Sequence, residues 1–136
     1  MNETNTPFIT VAAGIIYRQR QILAMQRPEG KPLAGYWEFP GGKAEEPEMP
    51  EQALVRELAE ELGINVTAFR RFSIIRHFYK EIGFIVCLHF FMVERFSGEP
   101  RSLEQANLRW IDVAHARELD FLPPDLIILK KLEIEL

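Results

Sequence analysis

The amino-acid sequence predicts an α/β sandwich, in which a sheet carries one helix on each face. Two observations lead to this prediction. Apolar and β-branched runs bounded by turn residues recur as strands, and several of them separate two helix-like segments, 50–62 and 124–132. The chain has 136 residues, of which 47% are hydrophobic, so it has the usual size of one domain and enough apolar material for a core. We therefore expect a single domain over residues 1–136.

The first two strands form a predicted hairpin. Residues 8–17 and 21–26 are strand-like, and the polar turn 18–20 joins them. The next segment, 27–36, contains two prolines and two glycines and is therefore expected to be a loop. Because this loop leads directly into the segment 37–42, we expect it to border the functional site.

The first predicted helix runs from Pro50 to Leu62. It contains no Gly and no further Pro, and it is rich in Ala, Leu, Glu and Arg, which are good helix formers. Pro50 suits the first turn and Gly63 the C-terminal stop, whereas Met49 is a poor N-cap. The apolar run 64–69 is then expected to return toward the sheet.

The second half of the chain predicts another hairpin, a short strand and a closing helix. Residues 73–79 and 84–95 are strand-like, with a turn near 80–83. Both alternating sets of the later strand are largely apolar, so we expect it to be central and covered on both faces. A further strand is predicted at 108–111 and an amphipathic helix at 124–132.

Three carboxylates crowd one side of the first helix, because Glu57, Glu60 and Glu61 stand at positions i, i+3 and i+4. Like charges at this spacing repel, and the leucine stripe expected to face the core lies beside Glu61. A hard divalent cation would resolve the conflict. Ligands that are all oxygen favour Mg2+ or Mn2+ over Zn2+, and Mg2+ usually works with substrate phosphates. The ordinary alternative is a solvated acidic helix face.

The residues around this helix follow a fixed spacing from Gly42 to Ile64, Gly-x5-Glu-x7-Arg-Glu-Leu-x-Glu-Glu-x-Gly-Ile. This segment resembles the signature of the Nudix hydrolases, which cleave nucleoside diphosphates linked to another moiety. The segments 37–43, 93–100 and 123–124 are similar to the MutT-type branch, which acts on nucleoside triphosphates. The resemblance implies a Nudix-type α/β/α sandwich with a mixed sheet, the motif helix on one side and the C-terminal helix on the other.

The resemblance also implies a metal site that binds Mg2+, with Mn2+ as a substitute. Glutamates of the motif helix coordinate the metal with the backbone carbonyl of Gly41, and Glu104 is an extra acidic ligand or base. Without that role, Glu104 is an ordinary solvated loop residue. Arg56 orients the carboxylates, and Glu48 supports the junction between loop and helix. The residues assigned to the metal are Gly41, Glu57, Glu60, Glu61 and Glu104.

Substrate contacts are implied by the same resemblance. Arg27 and Lys43 contact phosphate, unless they are ordinary surface residues. Asp125, just after the late proline pair, hydrogen-bonds the base, and its alternative role is a helix cap. The residues assigned to the substrate are Arg27, Glu38, Phe39, Pro40, Gly41, Lys43 and Asp125.

The residue at position 125 leaves the choice of base open. Enzymes of this type that are specific for 8-oxo-dGTP carry Asn there, which both donates and accepts hydrogen bonds, whereas an ionised Asp only accepts unless burial keeps it protonated. We therefore expect a Mg2+-dependent pyrophosphohydrolase that cleans the nucleotide pool before DNA replication, releasing a monophosphate and pyrophosphate from 8-oxo-dGTP. The alternatives are CTP, modified pyrimidine nucleotides or 2-hydroxy-dATP as substrate. From a different class, a noncatalytic nucleotide-sensing module is disfavoured by the intact motif.

Composition restricts the partners. A net charge of −4 argues against a nonspecific polynucleotide binder. Apolar runs such as 82–93 are too short to span a bilayer, and residues 1–7 lack a secretory pattern. We expect a cytoplasmic monomer or homodimer that binds a small nucleoside triphosphate.

The remaining conspicuous side chains are given structural roles. The single cysteine, Cys87, is expected to be buried. Trp110 and most phenylalanines are assigned to the core, with base stacking as the minor alternative for Trp37 and Phe78. The three histidines are expected to be packed or edge residues at positions 77 and 89 and a surface residue at position 115.

Overall fold

The computed structural model describes residues 8–136. The polar start, residues 1–7, lies outside the described residues. In chain order the elements are β1 (Phe8–Arg18), β2 (Gln21–Gln26), β3 (Trp37–Glu38), β4 (Gly41–Lys43), α1 (Pro50–Leu62), β5 (Asn65–Tyr79), β6 (Phe84–Ser97), β7 (Asn107–Asp112), a 3-10 helix (Val113–Glu118) and α2 (Pro123–Glu135).

The strands form one seven-stranded sheet with the order β3-β2-β1-β6-β5, to which β4 adds by pairing with β1 and β7 by pairing with β2. Strands β1 and β6 are parallel, with Ile9 opposite Val86, and the other pairs are antiparallel. The sheet is therefore mixed, as predicted. Strand β6 lies between β1 and β5, which confirms the prediction that it is central.

The two faces of the sheet carry separate apolar layers. Alternate residues of β1 point to opposite faces, so Ala12 and Ile16 pack with the leucine stripe of α1, whereas Ala13 and Ile15 pack with α2. The α2 layer includes the fully buried Phe90. One helix on each face of a mixed sheet confirms the predicted α/β sandwich.

Helix α1 begins and ends as its sequence predicts. Pro50 occupies the first turn, and the side chain of Gln52 accepts a hydrogen bond from the backbone nitrogen of Met49 at 2.8 Å, which offsets the absence of a capping side chain at Met49. Gly63 ends the helix in the left-handed region, with φ 70°.

One predicted strand boundary is wrong. The runs 64–69 and 73–79 belong to one strand, β5, which begins at Asn65, because Arg70 and Arg71 stay paired with β6 while bulges absorb the irregularities. The segment 37–42, for which no strand was predicted, contains β3 and the first residues of β4. The first of these strands pairs with β2 and the second with β1.

The closing helix also differs from its prediction. It begins one residue earlier and runs three residues further, and the 3-10 helix before it was not predicted. Its outer face is not polar throughout, since Ile127 is 49% and Ile134 is 85% exposed. No helix within residues 8–136 is long and apolar enough to cross a membrane.

The structural roles of single residues are confirmed in part. Cys87 is buried, and His115 is exposed. Trp110 is only half-buried: it packs against the α1 layer, and the Arg18 guanidinium lies over its ring at 4.3 Å. Of the ten phenylalanines, four are buried and three more are partly buried and pack against the core, so most contribute to it as expected. The buried ones are Phe39, Phe90, Phe91 and Phe121, and the partly buried ones are Phe69, Phe72 and Phe96.

Candidate active site

A cleft of about 540 Å³ lies beside α1, between the loop 27–36 and the sheet. Its polar lining combines acidic residues of the sheet, the helix and a distant loop with three basic residues. The charged residues are Glu38, Glu57, Glu60, Glu61 and Glu104, together with Arg27, Lys31 and Lys43. A second cleft of equal volume, near Tyr17 and the end of α2, contains no residue of the glutamate motif. The chemistry of the lining, not its volume, therefore marks the first cleft as the functional site.

Helix α1 and strand β4 fit closely at the cleft. The backbone N–H of Gly41 donates to Glu61 Oε1 at 3.1 Å. A Cβ on Gly42 would collide with the Glu57 carboxylate, so a larger residue there would displace that carboxylate. The contact that Gly41 makes with the motif helix is thus through its N–H, whereas its predicted metal contact is through the carbonyl.

Arg56 connects the glutamates of α1 to the preceding loop. Its Nε and one terminal nitrogen donate to the two carboxylate oxygens of Glu48 at 2.7 and 2.9 Å. The other terminal nitrogen donates to Glu57 at 2.9 Å and to Glu60 at 3.2 Å. A fifth contact, 3.0 Å long, reaches the carbonyl of Lys43. These contacts fix the carboxylates of the helix relative to the loop and to β4.

The loop that carries Glu104 is attached to the last turn of α1. The N–H of Leu103 donates to the carbonyl of Glu61 at 2.9 Å, and the N–H of Arg101 donates to the carbonyl of Leu62 at 3.1 Å. These bonds satisfy carbonyls that the helix end leaves free, and they place Glu104 in the cleft beside Glu61.

Burial and mutual repulsion change the titration of these carboxylates. Burial, followed by the charges of Glu57 and Glu104, raises the pKa of Glu61 to about 8. Burial also raises the pKa of Glu57, although Arg56 acts against it. In contrast, hydrogen bonds from Arg56 and from the Glu45 backbone lower the pKa of Glu48 to about 2. Burial thus opposes the ionisation of Glu57 and Glu61, whereas Arg56 stabilises the ionised form of Glu48.

The donor set fits a hard divalent cation in its chemistry. All side-chain donors are carboxylate oxygens, which Mg2+ prefers. Burial, followed by the charges of neighbouring glutamates, raises the pKa of Glu61, and a bound cation would oppose that effect. Within residues 8–136, however, no three His, Cys, Asp or Glu side chains are gathered around one point as in a complete metal site. Arg56 holds Glu57 and Glu60, and Gly41 holds Glu61, so these side chains would have to turn to reach one common ion.

The other side of the cleft contains a second polar group. Arg27 donates to Glu38 at 3.2 Å and to the carbonyl of Pro32 at 2.7 Å, which ties β3 to the loop. Asp125 is 1% exposed, and its Oδ2 accepts a hydrogen bond from the N–H of Phe39 at 2.9 Å. Its Oδ1 has no partner among the described residues. The helix-cap alternative for Asp125 is wrong, since Leu122 occupies the N-cap position of α2 and Asp125 lies inside the first turn.

The structure brings together most of the predicted site residues. The exceptions are among the residues that were assigned to the base. Phe39, Pro40 and Asp125 lie behind the cleft surface, and Trp37 and Phe78 do not line it either. Most of the apolar lining was assigned no role from the sequence, and two lining residues that carry a polar side-chain group, Lys31 and Tyr79, were missed. Lys31 belongs to the loop expected to border the site, so its charge was the available signal. Nothing in the sequence around Tyr79 distinguishes it from other aromatic strand residues.

The sequence is similar to those of known proteins. A family model described as NUDIX domain matches residues 8–132. The CTP pyrophosphohydrolase of Escherichia coli (strain K12) is 40% identical over 122 residues, which cover 90% of this chain and 89% of that protein. The 8-oxo-dGTP diphosphatase of the same organism is 35% identical over 126 residues, 92% of this chain and 96% of that protein.

Solved structures agree with these sequence matches. The solution structure of the E. coli ORF135 protein has a TM-score of 0.84 and 36% identity, and the match covers 98% of this chain and 94% of that one. A MutT structure from work on Aliivibrio salmonicida and Vibrio cholerae has a TM-score of 0.81 and 34% identity, covering 95% of this chain and 99% of that one. The chain therefore belongs to the NUDIX domain family and is a Nudix hydrolase.

Proposed function

We propose that the protein is a Mg2+-dependent nucleoside triphosphate pyrophosphohydrolase of MutT type. Water attacks the β-phosphorus, and a nucleoside monophosphate and pyrophosphate are released. The observation that carries this proposal is the cluster of Glu57, Glu60, Glu61 and Glu104 around one cleft, with a raised pKa at Glu61 that calls for a cation. Nudix hydrolases generally depend on a divalent metal, and Mg2+ is the ion that suits oxygen donors beside phosphates.

The glutamates of the cleft and the residues that contact them each have a proposed role. The glutamates of α1, the carbonyl of Gly41 and Glu104 hold the Mg2+, or Glu104 accepts the proton of the attacking water. When bound, Mg2+ supplies the positive charge that offsets both the glutamates and the phosphates. Arg56 holds Glu57 and Glu60 in place through its contacts. Mn2+ is expected to substitute, because it accepts the same ligands.

The basic residues of the cleft divide into two groups. Arg27 is already paired with Glu38, so its task is to fix the loop 27–36 beside the substrate. Lys31 and Lys43 line the cleft and make no ion pair among the described residues, so we assign the phosphate contact to these two.

The base is proposed to lie near Glu38, Phe39 and Asp125. Pro40 contributes by fixing the backbone there, since its carbonyl accepts the N–H of Gly14 at 2.8 Å. We propose 8-oxo-dGTP as the substrate, in line with the relatives named 8-oxo-dGTP diphosphatase. The second candidate, CTP or a modified nucleotide such as 2-hydroxy-dATP, is favoured by Asp125 and by the 40% identity to the E. coli CTP pyrophosphohydrolase.

The proposed partners are small molecules only. The cleft volume of about 540 Å³ is within the range of small-ligand sites, and the net charge of −4 opposes polynucleotide binding. We infer that a monomer or homodimer works in the cytoplasm, where its nucleotide substrates are made.

A substrate panel tests the proposed function. We would compare kcat/KM for 8-oxo-dGTP, dGTP, CTP, dCTP and 2-hydroxy-dATP with Mg2+ and identify the phosphate products. Preference for 8-oxo-dGTP supports the first candidate, and preference for a pyrimidine or 2-hydroxy-dATP supports the second. No turnover of any triphosphate would contradict both.

A further inference from the structure

Tyr79 is a buried phenol in the wall of the cleft, and none of the assignments above uses it. It is the last residue of β5, and its carbonyl accepts the N–H groups of Ile82 and Gly83 at 3.1 and 2.8 Å, which close the turn to β6. Its side chain is 6% exposed and lines the cleft. The backbone of Tyr79 thus has a structural role that does not involve its hydroxyl.

The apolar part of this wall suits a planar base. Tyr79 belongs to the same buried cluster as Phe39, Leu122, Val86 and Leu88, and all of these except Phe39 also line the cleft. Apolar and aromatic walls with few polar groups are typical of sites that bind the rings of small ligands. The charged phosphates belong instead beside the glutamates and Lys43.

Packing places Tyr79 with the proposed base-binding residues. Tyr79 and Phe39 belong to one buried cluster, and the N–H of Phe39 donates to Asp125 at 2.9 Å. The pKa of Tyr79 agrees with this position, since burial and then the charges of Asp125 and Glu38 raise it.

The hydroxyl of Tyr79 makes no hydrogen bond to any of residues 8–136. It is also not among the fully buried polar atoms without a partner in the described part of the chain, which are Ser102 Oγ and Asp125 Oδ1. The ring is fixed on one side by an edge contact with His77, with centroids 4.5 Å apart. A fixed aromatic residue of the cleft wall whose hydroxyl is not used by residues 8–136 can offer that hydroxyl to a ligand.

We propose that the Tyr79 hydroxyl hydrogen-bonds the nucleobase of the substrate and is a determinant of base selectivity. This inference rests on the proposed function, since it requires a nucleotide in the cleft. Because the phenol keeps its proton throughout the working pH range, it donates to a carbonyl or ring nitrogen of the base and also accepts from an amino group. Tyr79 is a binding residue here and takes no part in the attack on phosphorus.

The test uses a substrate that has no base. For wild type, Tyr79→Phe and the control Tyr17→Phe, we would measure kcat/KM with the preferred nucleoside triphosphate and with 2-deoxyribose 5-triphosphate. Tyr17 is half-buried and lines the second cleft, so it matches the change without touching the site. Loss of one neutral hydrogen bond should lower kcat/KM for the nucleotide about fivefold to tenfold in Tyr79→Phe. The base-free triphosphate should be hydrolysed equally by all three proteins.

The results separate this inference from the proposed function. Equal losses on both substrates in Tyr79→Phe, or no loss on the nucleotide, would overturn the role of Tyr79 while leaving pyrophosphohydrolysis intact. Wild type that hydrolyses no nucleoside triphosphate would overturn both. If Tyr79→Phe unfolds at a much lower temperature than wild type, the test is made on wild type instead. The substrate is then a nucleoside triphosphate whose base is replaced by a nonpolar group of the same shape. Its kcat/KM must then fall by at least the same fivefold to tenfold, and an undiminished value would overturn the role.

Discussion

Arg56 binds Glu48 with two hydrogen bonds, 2.7 Å from Nε and 2.9 Å from a terminal nitrogen. The remaining terminal nitrogen of the same guanidinium donates to Glu57 and Glu60. One planar side chain therefore fixes carboxylates on α1 against the loop that precedes it. Lysine has no fork of this kind, so it cannot make both sets of contacts.

The first prediction concerns Arg56→Lys. The charge is kept, but the paired contacts to Glu48 are lost, so Glu57 and Glu60 become less well placed. We expect kcat to fall about 10-fold to 100-fold with a smaller change in KM, as for other groups that orient metal ligands. Arg117→Lys is the matched control, because Arg117 pairs with Glu133 at an exposed position. Equal kcat values for wild type and Arg56→Lys would contradict the orienting role.

The second prediction concerns stability in acid. The pKa of Glu48 is about 2 in the folded protein, against an ordinary value of 4.5. Because the folded pKa is depressed, the stability from ionised Glu48 is fully present above pH 4.5 and is lost as pH falls toward 2. The urea midpoint of Glu48→Gln should therefore lie below that of wild type at neutral pH, and the difference should shrink in acid. A difference that does not change with pH would contradict this, and the exposed Glu46→Gln serves as the control.

The third prediction concerns the metal-free protein at high pH. The pKa of Glu61 is about 8 in the folded protein and 4.5 ordinarily, so the folded state favours the protonated form. The stability contribution of that proton is full below pH 4.5 and is lost as pH rises through about 8. At about pH 9 in EDTA, Glu61→Gln should therefore melt several degrees above wild type.

The same variant tests what Glu61 does with a metal. Added Mg2+ should raise the melting temperature of wild type much more than that of Glu61→Gln, because only a carboxylate binds the ion well. Equal stabilisation of the two proteins by Mg2+ would show that Glu61 is not a ligand. A melting temperature in EDTA that is lower for the variant would instead contradict the raised pKa.

The fourth prediction concerns Asp125→Asn. The amide oxygen can still accept the Phe39 N–H, while the NH2 group takes the place of the Oδ1 that now lacks a partner among the described residues. If position 125 reads the base, the ratio of kcat/KM for 8-oxo-dGTP over CTP should rise about tenfold. Equal changes in kcat/KM for the two substrates would show that Asp125 has only a structural role, which is to hold α2 against the segment that follows β3.

Local patterns predicted the local elements well. Helix α1 has its predicted bounds, because three local signals indicate the same segment: Pro50 marks its start, helix formers fill its interior, and Gly63 marks its end. The central position of β6 followed from its two apolar sets. The motif spacing also identified which glutamates share the cleft, since they occupy neighbouring positions on one helix.

Contacts between distant segments were beyond the sequence. Phe39 and Asp125 are 86 positions apart, and no periodicity in either segment records their hydrogen bond. The division of the segment 37–42 into β3 and β4 also depends on different pairing strands. Likewise, Tyr79 lines the cleft only because the whole sheet places the end of β5 beside Leu122.

The central claim is that the glutamates of α1 catalyse a metal-dependent release of pyrophosphate. The most direct test measures pyrophosphate and nucleoside monophosphate formed from the preferred triphosphate by wild type, Glu57→Gln and the exposed control Glu118→Gln, with Mg2+ and with EDTA. We predict that wild type and Glu118→Gln form both products with Mg2+ and neither product with EDTA. With Mg2+, kcat/KM should be about 100-fold or more lower for Glu57→Gln than for wild type. Unchanged hydrolysis by Glu57→Gln, or full activity in EDTA, would contradict the claim.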